Sequence, residues 1–522
     1  MLYIIRTCCT DETVLLQKGV LGADAERLAS AFVSLYGCTD HDAAAAFLSE
    51  PVVSGLASLV QQLDGREQLA LVGCVSRGLR SISTTSSRGG PHTTLPLFSQ
   101  ARNIQPLLPI LREGLLNGGP EAKLQAAEAL GDVIGMAADA AALRPHVTTV
   151  TGPLIRVLGD RHSPAIKAAI LRTLALFLQK VDQMLKAFLP QLQSTFLKAL
   201  LEPASRQVRL AACLALSRLS RIHPRADNLH ADILKHLKAT ADDPAIRETC
   251  LVAVRGLMES GTVVKGASER EQLVQLLLSE EEEEDAACRL AAGAALGTLA
   301  ALTLEEDNSL LLLTDYLLNC DVILPWQRRH LQSVALQVAL KLRPKDIWTR
   351  EAERTRKALL AYIAADNTGV SSAGLRAAGF LLCWQCSEQG TNVTLDYGVL
   401  TAVVRAINHQ SNDVKIISAL VIQHMALGLP SVPEAALLKA VVPMMANGTK
   451  EKNSAVRCGC EEALITLLQL RTSTSIFNMY CDSVDAGGRE ALTDVYNRSL
   501  LKALKQTAVR PPSLDETQQL QL

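Results

Sequence analysis

Two cysteine pairs come nearest in this sequence to the spacing of a chemical motif. Cys383 and Cys386, in the segment CWQC, have the spacing of a redox-active dithiol or of one half of a zinc site. The segment has a helical apolar pattern, without a second pair at zinc-site spacing or the strand–helix–strand context of a redox motif. Cys458 and Cys460, in CGC, fall on different faces of a helix and cannot readily share a metal. We therefore interpret these thiols as packed side chains.

Other residue types used in catalysis are not arranged as in a known site. The glycines of GAALGTL (residues 293–299) lie within a helical pattern, so they do not form a phosphate-binding loop. The ten histidines are dispersed, without an HExxH motif or a recognisable Ser or Cys nucleophile beside them. The sequence therefore predicts no catalytic residue, no metal and no cofactor, and we expect that the protein is not an enzyme.

Composition indicates layers of helices in a soluble protein. A chain of 522 residues is too long for one compact core, and its many Ala and Leu residues are strong helix formers. The 52 basic and 53 acidic residues leave no basic excess, so direct nucleic-acid binding is not predicted. The 13 scattered cysteines are typical of reduced thiols in the cytosol, and the apolar runs fall short of the roughly 20 residues that cross a membrane. We expect a cytoplasmic protein without a membrane segment.

One sequence pattern recurs along the chain: a basic residue stands early in each of several Ala-rich helical segments. The members are Lys123, Lys167, Arg209, Arg247, Arg289, Arg329, Lys415 and Arg457. Neighbours are 38 to 44 residues apart, except for one interval of 86 that leaves room for a unit centred near Ser372. A period of about 40–47 residues with two helices per unit is typical of HEAT repeats. The sequence thus predicts an all-α fold, a HEAT-repeat α-solenoid formed as a superhelix of stacked antiparallel helix pairs.

Each unit has the same predicted plan. A first helix with apolar residues at helical spacing is followed by a turn rich in Gly, Asp, Asn or Pro, and then by the second helix. One unit cannot bury its apolar face alone, so it must stack on the next. We expect the basic residue of the second helix to pair with an aspartate of a turn, within or between layers, with its stem buried and its charge at the rim.

The pattern divides the chain into four parts. Residues 1–82 are predicted to be a degenerate helical segment, residues 83–103 a loop or linker, residues 104–505 an array of about nine HEAT repeats, and residues 506–522 a disordered tail. An acidic run at residues 280–285 is interpreted as a solvated turn between helices or, alternatively, as an acidic docking patch.

Several phrases resemble the family of the general-control translational activator, a very large HEAT-repeat protein. They include PLLPILREGLLNGGPEAKLQAAEALG (106–131), ALRPHVTTVTGPLIRVLGDRHSPAIKAAILRTL (142–174) and LPWQRRHLQSVAL (324–336), and they follow in family order. The likeness covers roughly residues 104–505 and is strongest over 104–220. The resemblance implies that this chain is the C-terminal stretch of such a protein or a shortened relative.

The resemblance also implies a function. Members of the family activate the kinase of eukaryotic initiation factor two alpha in amino-acid starvation, and they dock the RWD domain of that kinase and of other RWD proteins. The region expected to bind is 104–260, while the rest of the full-length protein engages translating ribosomes, which implies a polysome-associated location in the cytoplasm. The critical arginine of the family phrase LGDRF corresponds to Arg161, so Asp160, Arg161 and His162 are the predicted partner-binding residues. His162 stands where the family has Phe.

Other scaffolds share the predicted solenoid, and a nuclear-transport receptor or a phosphatase-type scaffold is the alternative. Importins of the armadillo type hold basic signal peptides with regular rows of Trp and Asn. The three tryptophans here, Trp326, Trp348 and Trp384, share no period, which argues against signal-peptide binding.

Overall fold

Helices account for all the regular structure in the described part of the protein. The computed structural model describes residues 57–88, 98–223, 226–261, 267–279, 285–302, 308–388, 394–427, 435–469 and 484–509, with gaps at 59, 241 and 322, together with a few single residues that include Tyr36 and Leu95. The chain divides into two compact units, Met1–Lys265 and Gly266–Leu522. The predicted all-α HEAT-repeat fold is confirmed.

The first unit consists of helix pairs. Its helices are α1 (Gly65–Arg88), α2 (Ala101–Ile104), α3 (Leu107–Asn117), α4 (Pro120–Met136), α5 (Ala140–Leu143), α6 (Val147–Gly159), α7 (Pro164–Val181), α8 (Leu189–Leu200), α9 (Arg206–Ser220), α10 (Ala226–Ala239) and α11 (Pro244–Glu259). The pairs α3–α4, α6–α7, α8–α9 and α10–α11 are four successive repeats. Helix α1 packs on both α3 and α4, as the second helix of a preceding repeat would.

The second unit follows the same plan. Its helices are α12 (Ala267–Leu278), α13 (Ala286–Leu302), α14 (Asn308–Leu317), α15 (Trp326–Leu342), α16 (Pro344–Ile363), α17 (Thr368–Ser387), α18 (Tyr397–Arg405), α19 (Asn412–Leu427), α20 (Ala435–Gly448), α21 (Ser454–Gln469) and α22 (Ala486–Val509). The pairs from α12–α13 to α20–α21 are five repeats, and α22 packs on α20 and α21.

The second helices form the packed interior of each unit. In the first unit α4, α7, α9 and α11 pack on one another in order, and in the second unit α13, α15, α17, α19 and α21 do so. Fully buried alanines such as Ala127 and Ala212 allow this close approach. Hydroxyl groups add hydrogen bonds between layers, since Thr173 Oγ1 donates to the carbonyl of Ala127 (2.8 Å) and Ser217 Oγ to that of Gly256 (2.8 Å).

Capping residues fix where the second helices begin. Ser205, Asp243 and Asn367 accept hydrogen bonds from backbone amides of the first turn of α9, α11 and α17. Pro120 and Pro164 stand at the first helical position of α4 and α7, where no amide hydrogen is needed. In the eight repeats that have one, the basic residue found in the sequence is the fourth residue of the second helix.

In three repeats the fourth-position side chain donates to carbonyls of the last turn of the first helix or of the turn that follows it. Lys123 Nζ donates to the carbonyls of Leu115 (3.1 Å) and Leu116 (2.7 Å). Arg209 Nη1 donates to the carbonyl of Glu202 (2.9 Å), and Arg457 Nη1 to that of Glu451 (2.8 Å). The last carbonyls of a helix have no partner within it, and carbonyls of the following turn also need a donor, which the second helix supplies here.

Two fourth-position lysines reach the following repeat instead. Lys167 Nζ lies 2.8 Å from Glu202 Oε2, and Lys415 Nζ lies 2.9 Å from Glu451 Oε1. For these two lysines the acid is a glutamate and not the turn aspartate that the sequence predicts, and one turn aspartate, Asp243, serves as an N-cap. The expected position at the rim is also wrong for Arg209, which is buried.

The boundaries of the predicted segments differ from the structure. Helix α1 continues through Arg88 and α2 begins at Ala101, so the linker predicted at 83–103 is partly helical. Packing of α1 on α3 and α4 outweighs the weak helix propensity of its Ser and Thr residues. Helix α22 runs to Val509, so residues 506–509 of the predicted tail are helical, while residues 510–522, 280–284 and most of 1–56 lie outside the described residues.

Candidate functional site

The turn between α6 and α7 carries the three predicted partner-binding residues. The amide of Asp160 donates to the carbonyl of Val157 (3.2 Å), and the amide of His162 donates to the carbonyl of Asp160 (3.0 Å). These two bonds hold the backbone on either side of Arg161. Pro164 then starts α7, so the chain reverses over four residues.

Arg161 is exposed on this turn, and its guanidinium has no hydrogen bond or ion pair with any described residue. Its neighbours form a loose pair, since His162 Nε2 lies 3.9 Å from Asp160 Oδ2. The Asp160 side chain is 60% exposed and that of His162 is 23% exposed. The turn therefore presents an available guanidinium beside a carboxylate and an imidazole.

The turn lies in a mixed electrostatic field. Burial lowers the pKa of Lys123, the charge of Asp160 raises it, and the charge of Arg156 lowers it again. These three charges thus act on one another across two neighbouring repeats. A partner that approaches Arg161 meets basic groups with one exposed carboxylate among them.

Lys167 has a different environment, although it lies close to Arg161 in sequence. Its ammonium is held by Glu202, and the carbonyl of Glu202 in turn accepts from Arg209. Glu202 thus links Lys167 and Arg209, the fourth-position residues of two successive repeats. The structure separates a structural lysine from an exposed, unpaired arginine only six residues away.

The cysteines singled out in the sequence lie within helices and form no disulfide bond. Cys383 in α17 is partly exposed and Cys386 is buried, and burial raises the pKa of both, to about 12 for Cys386. Cys458 is exposed while Cys460 is buried, which confirms that they lie on different faces of α21. Over the described residues, His, Cys, Asp and Glu side chains form no group of three that could hold a metal.

Two further features bear on the kind of partner. The tryptophans occupy unrelated places, since Trp326 begins α15, Trp348 lies near the start of α16, and Trp384 lies near the end of α17. A row of indoles at repeat spacing is thus not formed by these three residues. Among the described residues, none of the helices has the length and apolar character needed to cross a membrane.

Three residues at the fourth position of a helix were not predicted from the sequence. Ser371, the fourth residue of α17, donates to the carbonyl of Ile363 (2.9 Å), so the repeat expected near Ser372 is centred one residue earlier. Gln68 of α1 donates to the carbonyls of Val60 and Leu63 (both 3.2 Å). Arg489 of α22 donates to the carbonyl of Cys481 (2.8 Å). A detectable signal was present: a capping Asp or Asn four residues before a hydrogen-bond donor.

The chain is similar in sequence to known proteins. A sequence model of the family described as stalled ribosome sensor GCN1-like, HEAT repeats, matches residues 227–518. The chain is 35% identical over 477 residues to the stalled ribosome sensor GCN1 of Homo sapiens, which is 90% of this chain and 17% of that protein. It is 30% identical over 269 residues to the eIF-2-alpha kinase activator GCN1 of Saccharomyces cerevisiae, which is 52% of this chain and 10% of that protein.

The match to these two relatives thus spans less than a fifth of their length. Among solved structures, the Kap95:Nup1 complex is similar with a TM-score of 0.49 and 13% identity, over 100% of this chain and 66% of that chain.

Proposed function

The chain belongs to the family of GCN1-like HEAT repeats of stalled ribosome sensors, and from that premise we propose that it is a non-catalytic docking segment for the RWD domain of the eIF-2-alpha kinase. The yeast relative is named as an activator of that kinase and the human relative as a sensor of stalled ribosomes. In this proposal the segment recruits the kinase in the cytoplasm, while the ribosome is engaged by other parts of a longer protein during amino-acid starvation.

The availability of Arg161 is the observation that carries this proposal. An exposed arginine with no partner loses few interactions of its own when it binds, and arginine is enriched among the residues that anchor protein interfaces. Its planar guanidinium can donate two parallel hydrogen bonds to a carboxylate. Asp160 and His162 supply an acceptor and a flat ring on either side of that anchor.

The scaffold keeps the anchor in place. Leu154 and Leu158 of α6 and Ile166 of α7 are buried on the two sides of the turn, so the helix ends cannot shift freely. A site on a turn between two packed helices is preorganised, which reduces the entropy lost on binding. This rigid presentation suits recruitment, since neither bound metal nor a nucleophile is required for it.

Replacement of Arg161 by alanine tests the proposal. We expect the binding free energy for the RWD domain to weaken by about 2 kcal/mol, roughly a 30-fold rise in Kd, because an interface anchor is lost. The free energy of unfolding should change by about 0.5 kcal/mol or less, because Arg161 is exposed and unpaired. Titration calorimetry and urea unfolding measure the two quantities.

Arg172→Ala is the matched control, since Arg172 is also exposed but lies on α7, away from the turn. It should leave the Kd within a factor of about 3 of the wild-type value. Equal binding by wild type and Arg161→Ala would remove the site assignment. Failure of the wild-type chain to bind the RWD domain at all would remove the proposed function.

A further inference from the structure

Three first helices of the first unit share a five-residue pattern with a basic residue at its centre. The segments are Leu154–Leu158 in α6, Phe196–Leu200 in α8 and Ile233–Leu237 in α10. The two end residues of each segment are buried against the core. The central residues are Arg156, Lys198 and Lys235, and all three are exposed.

The helix geometry directs these central residues away from the core. Residues i and i+4 lie on one face of a helix, and the residue midway between them points to the opposite side. Arg156, Lys198 and Lys235 form no hydrogen bond or ion pair through their side chains with any described residue. We call these three residues the basic row.

The same position is filled differently in the second unit, where in α14 it is Asp315, which pairs with Arg354 (2.8 Å). In α3, Arg112 stands eleven residues before Lys123, just as Arg156 stands eleven residues before Lys167, and Arg112 is also exposed. Exposed basic residues at this position therefore extend over the repeats around Arg161, and Asp315 shows that the fold does not require them.

We propose that the basic row holds an acidic α-helix of the partner protein that Arg161 anchors. This inference rests on the proposed function and assigns the chemistry of the partner surface. The three residues lie on three successive first helices, of which α6 and α8 contact each other. Residues seven apart on an α-helix lie on one face about 10 Å apart, and neighbouring packed helices are about 8–10 Å apart. Carboxylates at positions i, i+7 and i+14 of a partner helix would therefore present three acidic groups in a line to the row.

A protein helix fits this surface better than a nucleic acid does. The whole chain has 52 basic and 53 acidic residues, without the basic excess of a nucleic-acid binder. Exposed Asp160 also lies next to the row and would repel a phosphate backbone.

Charge reversal in the full chain tests this inference. The row variant is R156E/K198E/K235E, and the control variant R77E/R172E/R221E makes the same change in net charge at three exposed arginines on or at the end of second helices. We expect the row variant to bind the RWD domain of the kinase at least 100-fold more weakly, and the control variant to stay within about 5-fold. Circular dichroism melting checks that both variants remain folded.

RWD variants with reversed charge and an RNA ligand distinguish the possible outcomes. RWD variants with lysine at acidic positions i and i+7 of one helix should bind the row variant at least 10-fold better than the unaltered RWD domain does. If the row variant binds the RWD domain as the wild type does, the inference is wrong while the proposed function stands. If the row variant instead loses affinity only for a 20-nucleotide RNA, the row is a nucleic-acid site. If the wild type does not bind the RWD domain, both proposals fail.

Discussion

The fourth position of the second helix shows one physical requirement met by several residue types. Lysine and arginine reach backbone carbonyls or a neighbouring glutamate, and Ser371 and Gln68 donate to carbonyls in the same place. The shared requirement is a hydrogen-bond donor near the turn between two helices, because acceptors buried there without a partner are costly. Charge is one way to provide that donor.

The cost of losing this donor should depend on burial. Arg209 is buried and donates to two carbonyls, so Arg209→Ala should lower the free energy of unfolding by about 2–3 kcal/mol. Lys167 is partly exposed and pairs with a partly exposed glutamate, so Lys167→Ala should cost about 0.5–1 kcal/mol. Urea unfolding of both variants gives the comparison.

Arg209→Lys is the control for this prediction, because it keeps a donor with a shorter reach. It should lie between wild type and Arg209→Ala. A larger loss for Lys167→Ala than for Arg209→Ala would show that charge, and not closure of the helix end, dominates at this position.

His330 in α15 should make the second unit sensitive to acid. The residue is buried, its Nδ1 has no hydrogen-bond partner, and burial together with the charge of Arg289 lowers its pKa from 6.5 to about 4. The neutral ring is therefore favoured in the folded state, and the unfolded state binds a proton first as the pH falls. The stability that this residue provides is complete above pH 6.5 and is lost between pH 6.5 and 4.

The expected loss at pH 4 is roughly 3 kcal/mol relative to a variant that does not titrate there. Urea unfolding of wild type and His330→Gln between pH 7.5 and 4 measures it as a difference between two curves. Parallel curves across that range would show that His330 keeps its ordinary pKa.

At the scale of elements, two glycines allow α13 to approach α15 closely. A methyl group at Gly297 would meet the carbonyl oxygen of Ala335 and lie 2.9 Å from the Cβ of Val338. Gly293 likewise faces the carbonyl of Leu331 at 2.9 Å. These are the glycines of GAALGTL, and their role is helix packing, as their place in a helical pattern predicts.

Gly297→Ala should therefore destabilise the protein by about 3 kcal/mol or more, because one of the two backbones must move. Gly135→Ala in α4 is the control, since nothing lies within 4 Å of the added methyl there. It should stabilise by about 0.5–1 kcal/mol through the lower entropy of the unfolded chain. Thermal melting distinguishes the two signs, and equal effects would contradict the close approach.

The sequence predicted the helix pairs well because particular residue types recur at the repeat period. Basic residues such as Lys123 and Lys167 mark the second helices, and turn residues separate the two helices of each pair. It predicted the ends of α1 and α22 poorly, since Ser, Thr and Gln there favour helix only through packing against neighbours. Arg161 was found through a family phrase, but its lack of a partner is visible only in three dimensions. The basic row was missed because its members are ordinary surface residues until their helices are aligned.

At the scale of the whole molecule, the two compact units should be separable. Stacked repeats contact mainly their neighbours, so a unit with several repeats has its own core. We expect residues 1–265 expressed alone to unfold cooperatively and to bind the RWD domain within about 3-fold of the full chain.

Residues 266–522 are the control, since that unit lacks Arg161 and should not compete for the RWD domain. Circular dichroism and titration calorimetry on the two fragments provide the measurements. Equal binding by both fragments would contradict a site confined to the first unit.

The buried thiols give each unit an internal reporter of opening. Burial raises the pKa of Cys250 to about 12 in the first unit and that of Cys460 to about 12 in the second, whereas Cys458, two residues away, is exposed. An alkylating reagent attacks the thiolate, so it should modify Cys458 in the native protein and the buried thiols only when their helices separate. The order in which peptides become alkylated would then map which layers open first.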